Sequence, residues 1–311
     1  MLPKEPAKRP QLGFLYVPPF RLEGLSIAGE ETAVYVPELD VCFDVGLCPK
    51  AILPAPYIAL SHGHMDHVAG IAYYFSQRPF QGMTPGTVLC HPELEKPLHN
   101  LMAAWVEIER QRTKYNVRAI APGERFEVKN NHFLEAFETI HTVPALGYTV
   151  VEKRTRLKDE FQGLPQEKIV EHKQAGRDIV DTFHIPLVTF TGDTAWGDHL
   201  LQPNIVQSKV IIAECTFMEP GHRKRAGVGK HLHLDHILDL LEASSEDTHV
   251  VLIHLSRRTH MGQVRKTLER HVPNRFRHRL LTLMDGRANR ERYERQLAEA
   301  EAAQAVQSGG K

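Results

Sequence analysis

The sequence predicts an α/β fold organised as one large domain. Short apolar runs with the character of β-strands alternate with amphipathic helical segments along most of the chain. The 311 residues exceed the about 100–200 of a typical domain, but α/β proteins can extend further as one unit, and no repeat or clear linker divides the chain. Hydrophobic residues make up 42% and charged residues 24%, which indicates a globular protein with a substantial core and excludes a largely disordered or fibrous chain.

Strands dominate the first part of the chain, after a short leader. Residues 1–13 are rich in Pro, Lys and Arg, and we interpret them as a flexible leader that precedes a single domain spanning 14–288. Short apolar runs bounded by turn residues predict the strands. The last of them leads directly into a histidine-rich segment, 61–67, and small apolar residues at 70–75 predict a helix behind it. The predicted strands occupy residues 14–17, 32–36, 41–45 and 57–60.

The second part alternates helices and strands around one charged excursion. Apolar residues at helical spacing predict amphipathic helices over 93–112 and about 232–243. Residues 152–185 carry dense mixed charge and are interpreted as a short exposed insertion, whereas Arg-Lys-Arg followed by Ala-Gly-Val-Gly, at 223–229, is interpreted as a mobile loop. The polar segment 289–311 is expected to be a C-terminal tail that begins as a helix. Further strands are predicted within residues 117–151 and at 187–190, 210–213 and 250–253.

Charge, hydropathy and cysteine content exclude several classes of protein. The 38 basic and 38 acidic residues give a formal net charge of zero, which argues against a broadly polybasic nucleic-acid binder but is compatible with a local basic patch. No run of about 18 apolar residues is present, as a membrane-spanning helix would need, and the first residues lack the apolar core of a secretory signal. Four scattered cysteines are too few for a disulfide framework, so we expect a reducing, cytoplasmic location.

The strongest chemical signal is the segment His62-Gly-His-Met-Asp-His67. It follows a predicted buried strand, so that His62 and His64 are directed to one point of a cleft and Asp66 and His67 to a neighbouring point. Three imidazoles and a carboxylate within six residues suit borderline divalent ions, zinc above all. A surface loop that is histidine-rich by chance is the alternative, and this spacing at the end of a strand makes it the weaker one.

Six residues cannot complete two metal sites, so further ligands are expected downstream. His141, Asp193 and His254 each follow an apolar stretch, which would bring them to one edge of a sheet. Taken singly, each could be a hydrogen-bonded core or turn residue. Together with the histidine-rich segment, they favour a metal site.

These residues, in this order, resemble the metallo-β-lactamase superfamily, and their flanking sequences resemble the short form of ribonuclease Z, the family of tRNA 3′-processing endonucleases. The resemblance covers roughly residues 14–284. The histidine-rich segment is typical of the superfamily, whereas the pieces around His141, Glu214 and His254 are typical of ribonuclease Z. The matching segments are Phe43-Asp-Val-Gly-Leu-Cys-Pro49, Leu60-Ser-His-Gly-His-Met-Asp-His-Val-Ala-Gly70, His141-Thr-Val-Pro-Ala-Leu-Gly-Tyr148, Phe190-Thr-Gly-Asp-Thr194, Glu214-Cys-Thr-Phe217, His231-Leu-His233 and Ile253-His-Leu-Ser256.

The resemblance implies a four-layer αβ/βα sandwich, in which two mixed sheets are flanked by helices and two divalent metal ions lie at one edge. Two such ions, about 3.5–4 Å apart, can supply a hydroxide that attacks a phosphodiester and can also bind its oxygens. Zinc is the expected metal, with manganese or iron as alternatives. By this resemblance His62, His64 and His141 bind the first ion, Asp66, His67 and His254 bind the second, and Asp193 bridges both.

The resemblance also implies catalytic roles for three residues. His231 acts near the leaving 3′ oxygen, Glu214 holds His231, and Asp66 orients the attacking hydroxide in addition to binding metal. His233 and His236 compete with His231 for the role of acid, although His236 is better explained as a cap or a solvated residue of the helix that begins there.

A precursor tRNA is the expected substrate, and a homodimer is expected by resemblance alone. Contacts to the RNA would come from local cations, since the net charge is zero. Whether the basic residues at 153–158 bind RNA or form a solvated face is left open at about even weight. The residues predicted to bind substrate are Arg223, Lys224, Arg225, Lys230, Arg257 and Arg258.

Two other functions are compatible with parts of the sequence. A hydrolase of a small ester, thioester, lactone or cyclic phosphodiester would use the same metals, and the neutral charge and the short insertion, which lacks the Gly-Pro pair found in the long arm of many ribonucleases Z, favour it. A non-catalytic scaffold on the same fold is disfavoured, because a scaffold has no need for seven metal ligands.

Overall fold

The computed structural model describes residues 12–309 and contains two mixed β-sheets packed face to face. The first sheet has the strand order β1-β2-β3-β4-β5-β6-β7, antiparallel from β1 to β4 and parallel from β4 to β7, with β14 added beside β2. Its strands are β1 Gly13–Val17, β2 Phe20–Ala28, β3 Glu31–Val36, β4 Val41–Phe43, β5 Tyr57–Ala59, β6 Thr87–Cys90, β7 Asn116–Ala119 and β14 Leu255–Ser256.

The second sheet has the order β15-β13-β12-β11-β10-β9-β8. It is antiparallel from β8 to β11 and parallel from β11 to β15. Its strands are β8 Arg125–Lys129, β9 His132–Glu138, β10 Leu146–Leu157, β11 Val180–Phe190, β12 Val210–Glu214, β13 His249–Ile253 and β15 Leu280–Thr282.

Helices cover the outer face of each sheet, which gives the four layers predicted. The helix pair α2 and α3 lies on the first sheet, and α7 and α8 lie on the second, each over an apolar cluster of its own. None of the helices among residues 12–309 is long and apolar enough to cross a membrane. The helices are α1 Met65–Val68, α2 Ile71–Phe80, α3 Pro92–Glu109, α4 Gln166–Gln174, α5 Pro203–Val206, α6 Arg223–Gly229, α7 Leu234–Ala243, α8 Met261–His271, α9 Asn274–Arg277 and α10 Gly286–Gly309.

The main core lies between the two sheets and is built by strands whose inward residues are apolar. Phe43 from the first sheet stacks on Phe190 from the second, with ring centroids 4.8 Å apart. Both rings are fully buried, and burial of a side chain of this size contributes about 2–3 kcal/mol to folding. Because Phe190 lies three residues before Asp193, one of the predicted metal ligands, this contact fixes the two sheets against each other close to the predicted site.

Two predicted segments differ from the structure in form, and a third, the tail, is helical as expected. The predicted mobile loop at 223–229 is the helix α6, which is held by the buried Ala226. The predicted insertion at 152–185 consists largely of the outer halves of β10 and β11, with α4 between them. The two strands pair here from Glu152 opposite Ile185 to Leu157 opposite Val180. The predicted tail forms most of α10, a single helix. Residues 1–11 of the predicted leader and the last two residues lie outside the described part.

Candidate metal centre

The predicted metal-binding side chains lie together at one edge of the sandwich, where strands of both sheets end. In the first sheet, β5 ends at Ala59 and leads into the segment that carries the first histidines. In the second sheet, β9, β11 and β13 end just before His141, Asp193 and His254. The structure thus brings ligands from both halves of the chain to one place.

The first group of ligands consists of His62, His64 and His141. Nε2 of His62 lies 3.0 Å from Nδ1 of His64, and Nε2 of His141 lies 3.2 Å from that same atom. Two nitrogens bound to one zinc ion, each about 2.0–2.1 Å from it in tetrahedral geometry, would lie about 3.3 Å apart. The spacing of the three nitrogens therefore fits a zinc-sized ion.

The second group consists of Asp66, His67 and His254. Nε2 of His254 lies 3.3 Å from Nε2 of His67 and 3.3 Å from Oδ2 of Asp66, again the spacing of ligands around one ion. Asp193 lies between the groups, because its Oδ2 is 3.9 Å from Nε2 of His62 and 3.4 Å from Nε2 of both His67 and His254. This carboxylate is placed to bind two ions at once.

Four of the five imidazoles have the ring nitrogen that points away from the site held by an oxygen. Such contacts select the tautomer and orient the ring for metal binding. Nδ1 of His62 lies 2.9 Å from the Ser61 hydroxyl, and Nδ1 of His67 lies 2.7 Å from Oδ2 of Asp44. The corresponding partners are the Lys230 carbonyl for His141, at 3.2 Å, and the Thr216 hydroxyl for His254, at 3.0 Å.

Burial and neighbouring charges set the protonation of the site. Burial lowers the pKa of His62 to about 2 and also lowers the pKa of His141, so that both rings are neutral and can offer a lone pair to a metal. Burial alone would raise the pKa of Asp66, but the neighbouring His254 and His67 hold it below its ordinary value. The carboxylate is therefore ionised at neutral pH, as a metal ligand must be.

Asp44 is a functional residue that the sequence interpretation missed. Its carboxylate is fully buried and accepts hydrogen bonds from the backbone N–H and the hydroxyl of Ser61, at 2.6 and 2.8 Å, besides holding His67. The residue adopts a left-handed backbone conformation, with φ of 60°. The Asp-Val-Gly sequence directly after β4, within one of the segments that resemble ribonuclease Z, is the signal in the sequence for this residue.

Glu214 and His231 form a hydrogen-bonded pair beside the predicted metal ligands. Oε1 of Glu214, the last residue of β12, lies 2.9 Å from Nδ1 of His231, which leaves Nε2 as the nitrogen that can meet a substrate oxygen. Burial opposes protonation of His231, but the hydrogen bond and charge of Glu214 raise its pKa to about 8. The second carboxylate oxygen accepts a hydrogen bond from the Thr216 hydroxyl at 2.7 Å.

The two competing histidines serve the start of α7 instead. Nδ1 of His233 accepts a hydrogen bond from the backbone N–H of Asp235, and Nδ1 of His236 accepts one from the backbone N–H of His233. Nε2 of His233 lies 2.9 Å from the carbonyl oxygen of Glu219. With both rings buried and engaged in this capping arrangement, His231 is the better placed of the three to meet a substrate.

The predicted substrate-binding cations have different surroundings. On α6, Arg223, Lys224 and Arg225 are exposed beside the site. Lys230 instead donates a hydrogen bond from Nζ to the carbonyl oxygen of His141 at 2.6 Å, while its own carbonyl oxygen contacts Nδ1 of His141. Both the side chain and the backbone of Lys230 therefore hold His141 in place. The last two cations, Arg257 and Arg258, are exposed after β14, and the first of them pairs with Glu30 at 2.7 Å.

Comparisons with known proteins identify the family and the fold. The β-lactamase superfamily domain matches residues 48–255. The protein tRNase Z TRZ1 of Arabidopsis thaliana is 31% identical over 245 residues, which cover 77% of this chain and 86% of that protein. The chloroplastic tRNase Z TRZ2 of the same plant is 28% identical over 256 residues, 80% of this chain and 71% of that protein. The crystal structure of the short form of human tRNase Z has a similar fold, with a TM-score of 0.55 at 16% identity over 79% of this chain and 93% of that one.

Proposed function

Because the chain belongs to the β-lactamase superfamily and, within it, to the ribonuclease Z family of hydrolases, we propose that it is an endoribonuclease that removes the 3′ trailer of precursor tRNA. The observation that carries this proposal is the convergence of seven ligand side chains with the Glu214–His231 pair at one edge of the sandwich. A phosphodiesterase needs charge neutralisation, a nucleophile and a proton donor for the leaving oxygen, and this set of side chains offers all three.

Two divalent ions, zinc in the first instance, are proposed as cofactors. Imidazole and carboxylate are the donors that zinc accepts, and the spacing of the nitrogen atoms suits its bond lengths. The ions would be held by His62, His64 and His141 and by Asp66, His67 and His254, with Asp193 shared. When bound, such ions neutralise phosphate charge and lower the pKa of the attacking water.

The chain's own residues then divide the remaining work. Asp66, 15% exposed at its side chain, accepts a hydrogen bond from the attacking hydroxide and orients it as its oxygen forms the new bond to phosphorus. His231 donates a proton from Nε2 to the departing 3′ oxygen as the P–O bond breaks, and Glu214 holds the ring in place and stabilises its charge. The products are a tRNA with a free 3′ hydroxyl and a trailer with a 5′ phosphate.

The decisive experiment maps the cleavage of a precursor tRNA that carries a short 3′ trailer. Zinc-loaded protein should cut once, directly after the discriminator nucleotide, and both a chelator and the Asp66→Ala substitution should abolish the cut. The variant is expected to keep its fold, because Asp66 is a partly exposed ligand outside the apolar core. An Asp66→Ala protein with an unchanged rate would contradict the mechanism.

The same experiment distinguishes the proposed endoribonuclease from a hydrolase of a small molecule. Protein that holds two metal equivalents yet leaves precursor tRNA intact would keep the metal site and reject the RNA substrate. Activity on a chromogenic phosphodiester that precursor tRNA does not inhibit would point in the same direction. A protein that holds no metal would reject the site itself.

Association and location complete the proposal. We propose a homodimer, as in the family, and the exposed apolar side chains of Leu101, Trp105 and Ile108, at positions i, i+4 and i+7 of α3, are a surface that a second copy could cover. Light scattering in solution measures the mass, which should be twice that of the 35.3 kDa chain. Four free, buried cysteines support a reducing compartment such as the cytoplasm.

A further inference from the structure

Phe217 presents an aromatic ring beside the Glu214–His231 pair. Its neighbours Cys215 and Met218 are buried in the core, at 0% and 6% exposure, whereas Phe217 remains partly exposed. It belongs to none of the three apolar clusters formed by residues 12–309. Folding therefore leaves apolar ring surface available next to the site.

Hydrogen bonds on both sides fix the backbone that carries this ring. The N–H of Phe217 donates to the carbonyl oxygen of Leu232 at 3.3 Å, and its own carbonyl accepts from the N–H of Leu234 at 2.9 Å. These bonds form a parallel bridge to the segment that carries His231. Because the backbone is already ordered, it loses little conformational entropy when the ring contacts a ligand.

The surroundings of the ring are aromatic and cationic. Its centroid lies 6.2 Å from that of His231, at 57° between the planes. Cζ of Arg225 lies 5.9 Å from the centroid, and Nη1 of Arg225 lies 3.2 Å from Nε2 of His222, whose ring meets Phe217 edge to face. A partly exposed aromatic ring with a guanidinium over it offers the groups that proteins use to bind single-stranded nucleotides, since an aromatic ring can stack on a base and a cation can meet the backbone.

The identity of the stacked base follows from the position of His231. We infer that Phe217 is the platform on which the base directly 5′ to the cleaved phosphodiester stacks, an inference that rests on the proposed function. In that function His231 protonates the 3′ oxygen of this same nucleotide, so the base attached to its ribose is the one nearest to Phe217. Stacking does not depend on base identity, which suits an enzyme whose substrates differ at this position.

The test pairs a protein variant with a modified substrate. Wild type and Phe217→Leu are compared on precursor tRNA whose discriminator nucleotide is either intact or abasic. On intact substrate, Phe217→Leu should lower kcat/KM about tenfold, and on wild type the abasic nucleotide should cost the same factor. On abasic substrate, wild type and Phe217→Leu should be equal within about twofold, because the platform then has nothing to stack on.

Two further variants separate stacking from structure. Phe217→Tyr keeps the aromatic ring and should retain the wild-type rate, and Phe80→Leu removes a ring that is 66% exposed at the end of α2 and should change nothing. If Phe217→Leu fails to fold or to hold metal, the abasic substrate with wild type and Phe217→Tyr still decides.

Each outcome has a distinct meaning. A wild type that cleaves intact and abasic substrates equally well would overturn the inference and leave the proposed function standing. The same holds if Phe217→Leu loses as much activity on abasic as on intact substrate, because the ring would then act through the structure alone. A wild type that cleaves neither substrate would overturn the proposed function itself.

Discussion

Thr216 shows, at the scale of single residues, how the two chemical groups of the site are joined. Its hydroxyl donates a hydrogen bond to Oε2 of Glu214 at 2.7 Å. The hydroxyl oxygen, Oγ1, keeps a lone pair that can accept the N–H at Nδ1 of His254, 3.0 Å away. The hydroxyl therefore selects the tautomer in which Nε2 of His254 faces the metal site. One side chain thus orients both a metal ligand and the partner of the proposed acid.

Replacing Thr216 with Val should weaken both metal binding and catalysis. The substitution keeps the shape but removes the hydroxyl, so His254 loses its acceptor and Glu214 loses a donor. We expect metal affinity to fall about 10–100-fold and kcat/KM by a similar factor. Titration with zinc, followed by metal analysis of the dialysed protein, measures the first effect, and trailer cleavage measures the second.

Two control variants show whether the effect of Thr216→Val comes from the loss of its hydroxyl. Thr216→Ser restores the hydroxyl and should recover most of the metal affinity. Thr142→Val removes a hydroxyl 3.5 Å from Nε2 of His64, a contact too long to contribute much, and should leave metal affinity within about threefold of wild type. Equal zinc affinity in Thr216→Val and wild type would show that the hydroxyl does not orient His254.

The arm formed by the outer halves of β10 and β11 is the feature to examine at the scale of secondary structure elements. Beyond Val151 the side chains of β10 are mostly exposed, and its basic residues pair within the arm, Arg154 with Glu152 at 2.7 Å and Arg156 with Asp159 at 3.7 Å. Exposed pairs of this kind contribute little to stability, because solvent screens their charges. These arginines can therefore exchange their partners for phosphates at little cost.

Reversing the charge of Arg154 and Arg156 to Glu should raise KM for precursor tRNA several-fold with kcat nearly unchanged. The reason is that the arm lies away from the ligands and would contribute binding rather than chemistry. The salt dependence of KM should also become less steep, by up to about two phosphate contacts. Steady-state kinetics at several salt concentrations measure both effects, with Arg287→Glu on α10 as the control. An unchanged KM would assign the arm arginines to a solvated face.

The sequence could predict features that depend on residues close together in the chain, and it could not predict contacts between distant strands. The convergence of the seven candidate ligands could be predicted, because four lie in one short segment and the other three follow apolar runs. The contacts of Asp44, Thr216 and Lys230 could not be predicted, because each depends on how distant strands are brought together. The form of the arm was missed because its strands have no buried face, and α6 was missed because its glycines predict a loop.

The candidate metal site also joins the two halves of the whole molecule. His62, His64, Asp66 and His67 follow the first sheet, whereas His141, Asp193 and His254 follow strands of the second. Bound ions would thus link the two sheets at one edge, in addition to the apolar core between them. Since the unfolded chain does not hold these ligands together, metal binds the folded state and stabilises it.

Removal of metal should therefore lower the melting temperature. An ion present at about 1,000 times its Kd stabilises the folded state by about 4 kcal/mol, which for a protein of this size corresponds to about 5–10 °C. Calorimetry of the dialysed protein with and without added zinc measures the shift. Asp193→Asn should shrink it, because the neutral amide cannot bridge two ions, while a variant far from the site such as Phe80→Leu should show the full shift. A melting temperature that does not respond to zinc, in wild-type protein that binds two equivalents, would show that the unfolded chain holds the ions as tightly as the folded protein does.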